Sequence, residues 1–345
     1  MGQQAILHAM RFLKDRRGGI SMGKLLLLVL FVVASVGMGM GEYLETAILT
    51  PSIHLEQLYT FKVIGYANLM LVASTVLYVL HLWFGSETVG RWASGLAAVG
   101  ATGLVLTLLV RWIETYYLHR PGHLPLNVLY EMMALFSTVT IVIYLVMEQV
   151  YRTRAAGAFV MIIVLGAVLF QIWLLASGQA VAGSQVPLLR SYWIYAHVLA
   201  NFLGYGAFAV AAAMGAAYLM RSQLDALPLP HAGKSRRFAM NSLPDLQRID
   251  SSMHQAILLG FPLHTIATVL GGVAAYKAWG RYWAWEPKET WSLMVWLAYA
   301  SYFYFRYVGK WRSRRMAWWS IAGFGMTVFC FLGVRALWPG MHSYI

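Results

Sequence analysis

From Trp279 to Trp296 the chain reads WGRYWAWEPKETWSLMVW, which sets five tryptophans, two glutamates, two basic residues and one proline in one short stretch. Trp279, Trp283, Trp285 and Trp291, with Tyr282 among them, offer large rigid faces that bury an apolar ring system at little conformational cost. Lys277, Arg281 and Lys288 are placed to pair with carboxylates at the edge of such a ring system. Glu286-Pro287 then opens a helix: proline suits a first turn, and Glu286 and Glu289 suit the positive end of the helix dipole. An interfacial aromatic belt uses the same residue types, but a belt is scattered over many helix ends. Here the aromatics are concentrated and interleaved with charge, as a site for a flat, greasy ligand requires.

Ten histidines are few enough to weigh singly. His197, in SYWIYAHVLANFLGYGAF, lies near one end of a long apolar segment, and His342, in GMHSYI, lies just beyond the last one. A single histidine at a helix end is more often a satisfied polar residue than a ligand. Two of them beside a tryptophan platform have a further use, because neutral imidazole is a common axial ligand of haem iron. His119 and His123 flank Pro121-Gly122 in a connecting segment, His54 lies near Glu56, and His81 lies near an end of the second apolar span. His8, His231 and His254 read as surface residues.

The loop closely resembles the WWD motif of haem-handling membrane proteins, and WEPKETWSL is most similar to the cytochrome c synthetase branch, CcsA/ResC of the System II pathway. The family pattern has Asp where this chain has Glu286, so the carboxylate is kept on a longer arm. The resemblance implies that His197, in Tyr195-Ala196-His197-Val198, and His342, in His342-Ser343-Tyr344, are axial ligands of a haem b held against the loop. Asn127-Val128-Leu129-Tyr130-Glu131 resembles the family's Asn-Leu-Tyr-Glu-Ser stretch. His119, His123, Asn127, Tyr130 and Glu131 are therefore expected to form a wall facing haem or substrate.

One departure concerns membrane depth. The family carries an intramembrane histidine in the span after the loop, where this chain has Tyr304, while His264 stands in the span before the loop, where the family has an apolar residue. Fifteen residues separate His264 from Trp279 and thirteen separate Trp291 from Tyr304, which is about 22 and 20 Å along two helices. The expectation is that the two share a depth, with His264 or Tyr304 serving an intramembrane haem site. The alternative is a hydrogen-bonded core histidine.

These groups must be positioned by elements that the composition identifies. The 345 residues are 60% hydrophobic and 11% charged, which excludes an ordinary soluble domain. Apolar periodicity gives an all-α, polytopic transmembrane bundle of about nine spans: 25–41, 62–84, 92–113, 127–150, 156–176, 193–220, 255–275, 289–308 and 316–338. Net charge +13 reports orientation, with no nucleic acid implied: an N-terminus inside puts 18 of the 26 Lys and Arg on the inner side. The C-terminus is then outside, and the Tyr117–Glu131 segment, His197, the tryptophan loop and the tail converge on the outer face. Residues 1–20 read as a cytoplasmic amphipathic lead-in and 21–345 as a single haem-handling domain with its WWD-type loop at 276–291. Cys330 is the only cysteine, so thiol chemistry must come from a substrate or partner.

Three functions follow for comparison. The first is a haem lyase that joins haem vinyl groups to the cysteines of a Cys-x-x-Cys-His apocytochrome. The resemblance implies a separate CcsB/ResB-like membrane subunit beside it, thiol-reducing partners, and a bacterial inner-membrane setting with a periplasmic active face. The second is a non-catalytic haem carrier or exporter with the same loop, favoured by the absent intramembrane histidine and opposed by the WEPKETWSL wording. The third, an electron-transfer cytochrome b, needs histidines 13 or 14 residues apart on one helix, and no pair in this chain has either spacing.

Overall fold

A computed structural model describes residues 55–118, 124–126, 128–179, 192–226, 242–312 and 314–338. Among them all regular structure is helical: α1 (Leu55–Phe84), α2 (Glu87–Leu118), α3 (Leu129–Tyr151), α4 (Gly157–Ala176), α5 (Tyr192–Ala226), α6 (Leu246–Trp279), α7 (Pro287–Tyr307) and α8 (Arg314–Val328). After α8 the chain passes through a π turn, Phe329–Gly333, into a last helical turn, α9 (Val334–Leu337). Seven stretches of the described residues are long and apolar enough to cross a membrane. The 21-residue α7 is not among them, because its Trp and Tyr side chains carry polar ends that lower its hydropathy.

Each predicted span from 62–84 onward overlaps one of these helices, while the predicted span 25–41 and the lead-in 1–20 lie outside the described residues. Several helices overrun the expected spans, most of all α6, which begins nine residues before the predicted 255. The cause is local. Asp245 caps α6 by accepting from the Arg248 N–H at 2.8 Å, so a polar turn precedes the apolar part that periodicity detects.

Helix α5 is the centre of the bundle. Its apolar window is 83% buried against 28% for α6, so α5 packs on all sides and α6 keeps an outer face. Small residues allow this: Ala207, Ala209, Ala211 and Ala213 are buried, and a Cβ at Gly204 would stand 3.2 Å from the Gly260 carbonyl oxygen and the His264 nitrogen. Backbones of α5 and α6 thereby meet at the level of His264.

Buried polar groups tie the end of the bundle away from the tryptophan loop. The Glu148 carboxylate accepts from the Tyr78 hydroxyl (2.7 Å), the Ser94 hydroxyl (2.6 Å) and Arg154 Nε (2.9 Å). Arg154 also pairs with Glu87 at 2.8 Å, so one carboxylate joins α1, α2, α3 and the turn before α4. At the same end of α6 and α7, Arg306 makes a two-pronged bond to Asp250 at 3.1 and 2.7 Å.

Candidate functional site

At the other end, α6 stops at Gly280, whose left-handed backbone (φ 74°) lets its N–H close on the Tyr276 carbonyl at 2.9 Å. Helix α7 starts at Pro287 with a reciprocal cap. The Glu286 carboxylate accepts from the Glu289 N–H, while the Glu289 carboxylate accepts from the N–H groups of Ala284 (2.7 Å) and Glu286 (3.3 Å). Between the caps, Trp285 takes a positive φ of 57°, rare for a bulky residue, and stands 70% exposed. The loop is thus fixed at both ends and strained at its tip.

Beneath the loop lies a cavity of about 140 Å³. Trp279, Tyr282 and Trp283 form one wall, Leu129 and Met132 of α3 another, and Phe331 of the π turn a third. His197 and Asn201, one turn apart on α5, line it beside Gly271 and Thr268 of α6. Lys288 and Arg335 supply its cations, with Lys288 Nζ 5.9 Å from the centre of the Phe331 ring. Trp283 Nε1 is buried with no acceptor.

The imidazole of His197 is held in one orientation. Its Nδ1–H donates to the Ala267 carbonyl at 2.6 Å, which leaves Nε2 as the lone-pair nitrogen. A backbone carbonyl on Nδ1 is the usual arrangement behind a metal-binding Nε2. The ring lies against bare backbone: a Cβ at Gly271 would come within 2.7 Å of its Nδ1 and Cε1.

The structure therefore brings His197, Trp279, Tyr282, Trp283 and Lys288 to one cavity, and it distributes the other expected residues elsewhere. Lys277 and Arg281 are exposed and outside the cavity lining. Glu286 and Pro287 build the start of α7, and Trp291 packs edge-on against Phe329 with ring centres 4.5 Å apart, behind the wall. Tyr130 and Glu131 turn into the bundle, because α3 starts at Leu129 and presents Leu129 and Met132 to the cavity. Glu131 pairs with Arg111 at 3.1 Å, and the Tyr130 carbonyl accepts from Gln171. His119, His123, Asn127 and His342 lie outside the described residues.

His264 and Tyr304 do not share a depth. His264 faces the Ser292 carbonyl, and the next residue, Thr265, accepts from Trp296 Nε1 at 3.0 Å. Ten residues away along α6, about 15 Å, His254 bonds the Tyr307 hydroxyl at 2.9 Å and lies 3.4 Å from that of Tyr302. Tyr304 belongs to that level and is 59% exposed. Equal distances from the loop did not make equal depths, because the two helices are offset along their axes: Ser292, only five residues into α7, is already level with His264, fifteen residues before the end of α6. His254, expected at the surface, is partly buried among these tyrosines. His264 is enclosed at 0% exposure, with its Nδ1 3.2 Å from Asn201 Oδ1 and the rings of Tyr205 and Phe208 about it.

Sequence reasoning missed Asn201, Phe331 and Arg335 as cavity residues. Asn201 was open to discovery from its i,i+4 spacing to His197. Arg335 is the sole Lys or Arg after Arg315, at the end of an apolar span.

Fold and site together define a polytopic helical membrane protein with an aromatic, cation-edged cavity at one end of its bundle. The chain belongs to the family described as Cytochrome C assembly protein, whose model it matches over residues 126–342. It is similar to proteins named Cytochrome c biogenesis protein CcsA: that of Synechococcus elongatus is 31% identical over 292 residues, covering 72% of this chain and 88% of the relative. Those of Gloeobacter violaceus and Trichormus variabilis are each 30% identical, covering 79% and 78% of this chain and 92% and 93% of theirs. Membership of this family gives the chain a role in cytochrome c maturation, carried out from a multi-pass membrane position.

Proposed function

We propose that the chain is the haem-binding membrane subunit of a cytochrome c synthetase, presenting haem b as substrate at the cavity for covalent attachment to an apocytochrome. The observation that carries this reading is His197: an imidazole with Nδ1–H fixed on a backbone carbonyl, set in an aromatic cavity that also holds Lys288 and Arg335. An axial ligand, flat apolar walls and two cations for propionates are the three things a haem site must supply. Trp283 Nε1–H, buried without an acceptor, gives a further donor to the cargo's polar edge.

In the attachment step, each cysteine S–H of a Cys-x-x-Cys-His segment adds across one haem vinyl group. A C–S bond forms on one vinyl carbon, the thiol proton goes to the other, and no electrons are gained or lost. The chain's part is to hold both reactants in near-attack geometry and keep the vinyl edge facing the incoming peptide. Its one cysteine, buried Cys330, is not needed for that, so reduced thiols come from the apocytochrome, kept so by thiol-reducing partners. His342 is the second axial ligand in this reading. A CcsB/ResB-like subunit accompanies the chain in the bacterial inner membrane, and the cavity faces the periplasm.

The test is the pyridine haemochrome spectrum of the detergent-purified chain, co-expressed with its partner subunit, beside His197→Ala. Haem b in the parent and its loss, by about tenfold or more, in the variant is the expected result. A parent without haem sinks the proposal. Formation of mature cytochrome c by the parent with its partner separates a synthetase from a carrier that only delivers haem.

A further inference from the structure

The turn that joins α7 to α8, at the end of the bundle away from the tryptophan loop, is built around a folded-in tryptophan. The N–H groups of Val308 and Gly309 close on the Tyr304 carbonyl at 2.8 and 3.1 Å, and the Trp311 N–H reaches the Phe305 carbonyl at 2.9 Å. Lys310 makes the reversal in a left-handed conformation (φ 51°), and the Trp311 ring stacks on Phe305 with ring centres 4.3 Å apart. What results is an open recess of about 470 Å³, edged by four exposed cations: Lys310, Arg312, Arg314 and Arg315. The Arg315 guanidinium is held 5.3 Å from the centre of the Trp311 ring. These cations are crowded at a cost. Arg314 and Arg315 open α8 at the positive end of its dipole, with no acidic residue in the first turn. The carboxylates at this end are already engaged: Asp225 with Arg221, Asp245 with Arg248, Asp250 with Arg306, and both Glu87 and Glu148 with Arg154. Among the described residues, none forms an ion pair with any of the four.

We propose that this recess binds the headgroup of an anionic phospholipid, with Lys310, Arg312, Arg314 and Arg315 directed at its phosphate oxygens. Guanidinium groups pair with phosphate in a two-pronged way, so three arginines around one recess suit that anion. The surroundings select a lipid over a free anion. Tyr307 and Val308 on one side of the recess and Trp318 on the other are 58%, 65% and 59% exposed. Trp318 stands four residues beyond Arg314 and so lies on the same face of α8. Charge set beside exposed aromatic surface is how a chain meets the headgroup level of a bilayer. With the haem cavity facing the periplasm, this end meets the cytoplasmic leaflet, whose anionic lipids attract basic segments. The site asks nothing of haem, so it stands or falls apart from the reading of His197.

The experiment is native mass spectrometry of the detergent-purified full chain, titrated with phosphatidylglycerol, with phosphatidylcholine, and with phosphatidylglycerol in excess inorganic phosphate. Phosphatidylglycerol is expected to bind about tenfold more tightly than phosphatidylcholine and to stay bound in phosphate. Each basic residue at a lipid surface is worth about fivefold, so Arg312→Gln with Arg314→Gln is expected to weaken phosphatidylglycerol binding by about 25-fold. Lys277→Gln with Arg281→Gln removes the same charge from exposed positions at the opposite end and is expected to leave that binding unchanged. Equal loss in the two double variants overturns the proposal, because it reports diffuse charge and no site. Equal binding of the two lipids overturns it as well, and displacement by phosphate makes the recess a free-anion site instead. The substituted side chains are exposed, and circular dichroism checks that the fold is kept. If the Arg312 and Arg314 double variant does not fold, Lys310→Gln alone serves, with about fivefold weaker binding expected and unchanged binding overturning the proposal.

Discussion

At the scale of single residues, the site depends on what is missing from Gly271 as much as on what His197 carries. The imidazole lies where a side chain on α6 would be, so Gly271→Ala pushes it off the Ala267 carbonyl. Overpacking of this kind costs about 1–3 kcal/mol. The expected outcome is haem binding weaker by about tenfold with the helical content unchanged, measured by haem titration and circular dichroism. His197 itself was legible from its position near a span end and its likeness to a known motif. Gly271 was not, because a glycine in an apolar helix looks the same whether it faces lipid or a ring. Asn201 gave a local signal through its spacing from His197, but only the fold shows that His264 reaches it from another helix.

The elements around the cavity were legible in their order, since each described helix overlaps a span that apolar periodicity marks. Their register was not. Apolar runs report where hydrocarbon begins and ends, whereas relative depth is set by caps, by polar first turns and by contacts such as Trp296 to Thr265. That is why Tyr304 falls beside His254 and not His264. The loop's carboxylates illustrate the same point: their sequence suggested a helix start, and the structure adds that Glu289 also binds back to Ala284. Glu289→Ala removes two backbone bonds and is expected to cost about 1–2 kcal/mol locally. The checks are faster protease cleavage within 280–286 and reduced haem retention, with the far end of the bundle unaffected.

Across the whole molecule, the two ends have different work. The Glu148 cluster fastens α1, α2, α3 and the turn before α4 through hydrogen bonds to one buried carboxylate, and it makes no contact with the cavity. Glu148→Ala removes the carboxylate that Tyr78, Ser94 and Arg154 share, leaving Arg154 only Glu87 and Ser94 only the Gly90 carbonyl, and is expected to destabilise the fold by about 3 kcal/mol. Melting of the detergent-solubilised protein should show it, while haem bound per folded molecule stays at the parent level. Charge counting had suggested a polarised molecule. The buried network at one end was hidden from it, because Glu148 in an apolar run does not announce which helices it joins.

The π turn at Phe329–Gly333 has its own consequence for the chain's length. A π turn is an ordinary helix with one residue too many, taken up locally so that the segments before and after stay in phase. Loss of one residue between 329 and 333 would therefore close a regular helix and still deliver Arg335 to the cavity. The same loss in α8 would swing Arg335 around the axis by about 100°. Within this last span, the π turn is where the chain can shorten by one residue without redirecting the cation beyond it.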